Sequence, residues 1–189
     1  MTSEELYKHL SFVNSSRESR IKNAEMILND IRLMPMLIDV LFKVDDKVSC
    51  KAAWVLEFIC DRNLEFIVPY LDKFTANISK VHLDSAIRPV AKIYEFLVKA
   101  YYSKQENTIK NTLTPIYQER IIETCFDWMI TNQKVAVKVF AMNTLYLLGQ
   151  DNKWVRPELI VILEHGFQYN SAAFKARARH ILLKLNKNS

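Results

Sequence analysis

Five cations recur at matched positions between Arg88 and Arg179. Arg88, Lys138 and Lys175 each stand three residues before an alanine (Ala91, Ala141, Ala178), and Lys92 and Arg179 each stand one residue after one. Side chains four apart share a helix face, so Arg88 with Lys92, and Lys175 with Arg179, project together. If the helices that carry them line a concave surface, this basic stripe can bind an acidic peptide or a phosphate backbone. The same cations serve equally well as a structural ladder, each pairing with an acid of the neighbouring repeat, for which Asp46, Asp84 and Glu95 are available. Arg177 and His180, on the same terminal segment, are open to either reading. Trp154, just before Pro157, is the aromatic best placed to be exposed and to anchor a peptide or stack on a base, whereas Trp54 reads as core.

Residues for catalysis are harder to assemble. His82 precedes Asp84 by two positions, and an aspartate can orient a histidine as general base. Asp84 is also placed to cap a helix, which leaves His82 as a loop histidine. The three cysteines, Cys50, Cys60 and Cys125, form no CxxC pair, and the four histidines are scattered, so no ligand set for structural zinc stands out. The chain has no phosphate loop, dinucleotide fingerprint or nucleophile elbow. No catalytic residue, metal or cofactor is assigned, and a non-enzymatic binding role is expected.

These residues must be carried by helices. Only two of the 189 residues are glycine, and half of the chain is apolar; tight hairpins need glycine or asparagine at positive φ, so a sheet-rich fold is excluded while helix connections are not. The formal charge of +5 permits an acidic partner without requiring one. Absence of a long apolar run or a basic leader, together with unpaired cysteines, predicts a cytoplasmic protein with no membrane association. Leu6, Leu10 and Val13 mark a first helical face, with capping-box spacing at Thr2/Glu5 and at Ser15/Glu18. Pro35, Pro115 and Pro157 suit first helical turns, Pro69 predicts a kink, and Pro89 a disturbed early turn.

Self-similarity organises the rest. Around Ala52, Ala91, Ala141 and Ala178 an apolar residue lies four before (Val48, Ile87, Val137, Phe174) and seven after (Ile59, Val98, Leu148, Leu185). Leu56, Leu145 and Leu182 fill the position four after, where Glu95 is the exception, and Ala24 begins a degenerate earlier copy with Arg20 in place of an apolar residue. A small anchor lets a neighbouring helix approach to about 8–10 Å. Asp46, Asp84, Asn132 and Asn170 are the expected caps, and Ser103 to Thr114 reads as a loop or frayed helical extension. Each anchored helix follows another amphipathic one, and such pairs must stack to bury both faces.

The runs Val137-Lys138 with Ala141 and Leu145, and Phe174-Lys175 with Ala178 and Leu182, resemble the second helix of a HEAT repeat, over roughly Ser15 to Leu185. The resemblance implies an all-α fold, an α-α superhelix of the right-handed HEAT-like or armadillo type with about five helix pairs, here as a single domain over 1–189. Lys47 to Trp54, Lys80 to Lys92 and Lys175 to His180 are also similar to short bacterial HEAT-like proteins whose members often carry the name adenylosuccinate lyase. The Gly-Ser-Ser-x-Met-Pro-x-Lys-x-Asn loop of true lyases is not in this sequence. The function implied is a scaffold for another protein or an acidic peptide, with nucleic-acid binding through the stripe as the alternative and a lyase the most remote reading. No oligomeric state follows.

Overall fold

The computed structural model describes residues 1–187, the last by its backbone only. The chain divides into two compact units, Met1–Phe96 and Leu97–Ser189. Among the described residues there are helices and connecting turns and no strand.

In the first unit α1 (Ser3–Ser11) packs on α3 (Met34–Leu41) and α4 (Lys47–Arg62), α2 (Arg17–Asn29) packs on α4, α3 packs on α4, and α5 (Leu71–Asn77) precedes the first part of α6 (Asp84–Tyr101). Helix starts follow local chemistry. Thr2 and Glu5 form a reciprocal capping box on α1. On α2 the cap is Ser16, which accepts from the Ser19 N–H, in place of the expected Ser15/Glu18 pair. The Ser15 carbonyl instead accepts from the Arg20 guanidinium. Asp46 caps α4 as expected, taking the Val48 N–H at 2.8 Å. Pro69 lies in the 3-10 segment Leu64–Tyr70 that precedes α5, where a continuous α-helix would lose a hydrogen bond and clash with the proline ring.

Pro89 sits within α6, and its missing N–H deprives the Ser85 carbonyl of its usual helical donor. The indole Nε1–H of Trp54 donates to that carbonyl at 2.8 Å, tying α4 to α6. Trp54 is therefore half-buried rather than sealed in the seam, with the Arg20 guanidinium 5.1 Å above its ring. Arg20, which breaks the apolar column of the earliest repeat, is accommodated by stacking on an aromatic surface.

In the second unit the end of α6 is followed by α7 (Thr108–Thr112), α8 (Pro115–Ile130), α9 (Val135–Leu148), α10 (Val155–Tyr169) and α11 (Ala172–Lys187). The polar stretch before α8 is held together by Asn107, whose side-chain amide donates to the Ala100 and Gln105 carbonyls and whose carbonyl oxygen caps α7. Two expected caps are replaced. Lys134, not Asn132, precedes α9 and offers no side-chain cap. Ser171, not Asn170, accepts from the Phe174 N–H at the start of α11, while Asn170 closes α10 by donating to the Gly166 carbonyl.

The repeat anchors are the core. Ala24, Ala52, Ala91, Ala141 and Ala178 are all at most 3% exposed. The apolar columns four before and seven after the later four anchors are buried as well. Leu182 is only half-buried, and Glu95 occupies a buried position in the same column. Gly166 lets the Phe174 ring of α11 close onto α10, since a Cβ there would stand 2.9 Å from the ring.

Candidate binding surface

The five cations of the stripe meet different environments in the two units. In the first, Arg88 Nη1 donates to Glu57 Oε2 at 3.2 Å, and Lys92 Nζ lies 3.0 Å from Glu57 Oε1 and 3.9 Å from Asp61. The Glu57 side chain is 3% exposed, so its charge depends on these partners. This is a ladder between α4 and α6. Its acids are Glu57 and Asp61, both one helix pair upstream of the cations, rather than Asp46, Asp84 or Glu95. Asp46 is occupied otherwise: Tyr7 Oη donates to its second oxygen at 2.6 Å, and this bond with the Val48 N–H holds its carboxyl below the usual range.

In the second unit no described acid forms an ion pair with the stripe, although Glu164 lines the same groove as Arg179. Among the described residues, none of Lys138, Lys175, Arg177 and Arg179 has a carboxylate partner. Helices α9 and α11 contain no aspartate or glutamate, whereas α8 carries Glu119, Glu123 and Asp127, and α10 carries Glu158 and Glu164. In this unit the helical acids thus lie on α8 and α10, the first helices of the pairs. Lys138 is half-buried on α9, and that burial lowers the proton affinity of its ammonium. Lys175 is half-buried on α11, and Arg179 is exposed with its guanidinium 5.5 Å over the Phe167 ring of α10.

A guanidinium, an imidazole and apolar surface meet in a groove of ≈ 420 Å³ between α9 and α11, lined by Val139, Ala173, Ala176, Arg177 and His180. Further along the same seam the Lys184 ammonium lies 5.5 Å over the Tyr146 ring. Arg177 and His180, which the stripe did not include, therefore border the groove, while Arg179 turns to the opposite side of α11. Their offset of one and two residues from the stripe positions is the signal that separates these two faces.

The alternation of paired helices, the small buried anchor in each second helix, and apolar columns repeating at the same offsets describe one structural unit reused along the chain. The profile of the HEAT repeat domain family matches residues 14–185. The chain belongs to that family. Neither the comparison with curated proteins nor that with solved structures yields a match.

Other candidate residues of this HEAT-repeat chain fall apart as chemistry. His82 Nε2 stands 3.4 Å from Asp45 and its Nδ1 3.2 Å from the Lys80 carbonyl, so its carboxylate neighbour is Asp45 and not Asp84, which opens α6. Cys60 and Cys125 are fully enclosed, and burial pushes both thiols far up, away from the reactive thiolate. No group of three or more metal-ligating side chains occurs among the described residues, and no described helix is long and apolar enough to cross a membrane. Trp154 is 54% exposed and stacks on Phe126 with ring centroids 5.7 Å apart.

Proposed function

We propose that this HEAT-repeat chain is a non-catalytic scaffold that binds another protein through the second helices of its repeats, with the binding cations concentrated on α9 and α11. HEAT repeats commonly serve protein interaction. The observation that carries the reading is the difference between the two halves of the stripe: Arg88 and Lys92 are engaged by the buried Glu57, whereas Lys138, Lys175 and Arg179 lie on helices without a single acid. Arg88 and Lys92 then act in folding. The unneutralised cations draw a negatively charged surface toward α9 and α11. Exposed Trp154 adds a candidate anchor at the start of α10.

The same single-sign charge suits a phosphate backbone, which makes nucleic acid the second reading. Capture of partners by the tagged full chain, with and without nuclease, separates the two. A protein partner retained after nuclease, and lost on Lys138→Glu with Lys175→Glu in a folded variant, supports the scaffold. Recovery of nucleic acid, or of proteins that nuclease releases, refutes it in favour of the second reading. Normal capture by the double variant removes these cations from the site.

A further inference from the structure

Resting on that scaffold reading, we infer that the groove between α9 and α11 is the seat of an acidic linear peptide with an apolar anchor residue, its acids meeting Arg177 and His180 and its anchor entering between Val139, Ala173 and Ala176. Three observations converge on this occupant. The groove is ≈ 420 Å³, within the size range of ligand clefts. Its floor is apolar, and Ala173 and Ala176 leave that floor accessible because both are exposed. Its border carries the Arg177 guanidinium with the His180 imidazole beside it, both on α11, and neither α9 nor α11 contains a carboxylate to compete with a ligand's. Arginine presents a planar fork that grips a carboxylate through two parallel hydrogen bonds.

Nucleic acid fits this groove less well. Bases are held chiefly by stacking on large aromatic rings, and no Phe, Tyr or Trp lines it; the His180 imidazole is the one ring at its border. The ring at the far end of the seam, Tyr146, is already covered by Lys184. A second groove of ≈ 410 Å³, on the other side of α11, is lined by Phe167, Leu182 and Leu183 but includes Glu164 beside Arg179, so it lacks the single-sign border that would select an acidic ligand.

The test is selection of a phage-displayed random peptide library on the full chain, followed by anisotropy titration of the labelled selected peptides. The expected result is enrichment of sequences with Asp or Glu flanking an apolar residue, binding that weakens as salt rises, and about tenfold weaker binding to Arg177→Glu. Ala176→Arg, which fills the groove with a good helix former while adding a positive charge, so that a loss cannot come from weaker attraction to an acidic ligand, abolishes binding. Leu183→Glu, in the neighbouring groove, weakens binding less than either. Circular dichroism confirms that each variant is folded, and the two groove variants act through different physics, so either one alone still decides. Selection without acidic bias, wild-type binding by either folded groove variant, or tighter binding of a labelled single-stranded oligonucleotide overturns the inference. A nuclease-resistant protein partner whose capture ignores Ala176→Arg and Arg177→Glu removes the groove and leaves the scaffold standing. Loss of every nuclease-resistant partner removes the scaffold itself.

Discussion

Lys92→Met, read against Glu57, tests whether the first-unit cations are structural. Glu57 is 2% exposed and shares its carboxylate between Arg88 at 3.2 Å and Lys92 at 3.0 Å. Stripping a buried charge of all compensation costs about 3–5 kcal/mol. Lys92→Met leaves Arg88 in place, and the Lys92 side chain is itself 26% exposed, so solvent already screens part of the pair. A loss of about 1–2 kcal/mol is expected, or roughly 3–6 °C in Tm for a chain of this size. The informative quantity is non-additivity. Arg88→Met alone costs less, since its side chain is 44% exposed. The double variant leaves Glu57 alone beside Asp61 and costs about 3–5 kcal/mol, more than the sum of the singles. In a Glu57→Gln background Lys92→Met costs under about 0.5 kcal/mol, because no buried charge remains to be stranded. Urea unfolding monitored by circular dichroism measures all of these. Equal losses with and without the Glu57→Gln change, or additive singles, would refute the reasoning. Loss of partner capture by Lys92→Met at unchanged stability would return Lys92 to the binding surface.

Further outcomes follow from other contacts. Trp54→Phe removes the donor to the Ser85 carbonyl and costs about 0.5–1.5 kcal/mol, and in a Pro89→Ala background, where a backbone N–H is restored, the cost is smaller; a double-mutant cycle in thermal melts measures the coupling. Asp46→Asn keeps a cap but removes the charge that Tyr7 and the Val48 N–H favour. Because the folded-state carboxyl is held below its ordinary value, its stabilisation is present above about pH 4 and fades as pH falls through the lowered value. Melts of the two proteins should therefore differ at neutral pH and converge in acid, and a difference that grew in acid would contradict the assignment. Cys60 and Cys125, fully enclosed with thiols raised by burial, should react with a disulfide reagent only after denaturant is added. Gly166→Ala, a change that favours most helices by about 1 kcal/mol, should destabilise here, because the new Cβ meets the buried Phe174 ring at 2.9 Å; a raised Tm would show that the ring can shift freely.

What could be read along the chain was the part of the fold that each helix encodes by itself. A small residue flanked by apolar positions four before and seven after defines one helical face, and a face of that kind has to be buried whatever it meets. Hence the anchors Ala52, Ala91, Ala141 and Ala178 were legible, and all are buried. The Thr2/Glu5 box and the Asp46 cap were legible for the same reason, since donor and acceptor lie within one turn. Cap choices that turn on a single residue of backbone phase, Ser16 over Ser15 and Ser171 over Asn170, were not. Only the tertiary structure decided which acid meets which cation. Glu57 reaches Arg88 and Lys92 because α4 and α6 pack with those positions facing each other, while Asp46, equally available in sequence, is held by Tyr7. It also decided that Arg177 and Arg179, two residues apart, border different grooves on α11. Periodic burial is a property of one helix, but charge pairing and groove formation depend on the rotation and approach of two, and these are set by how whole faces pack.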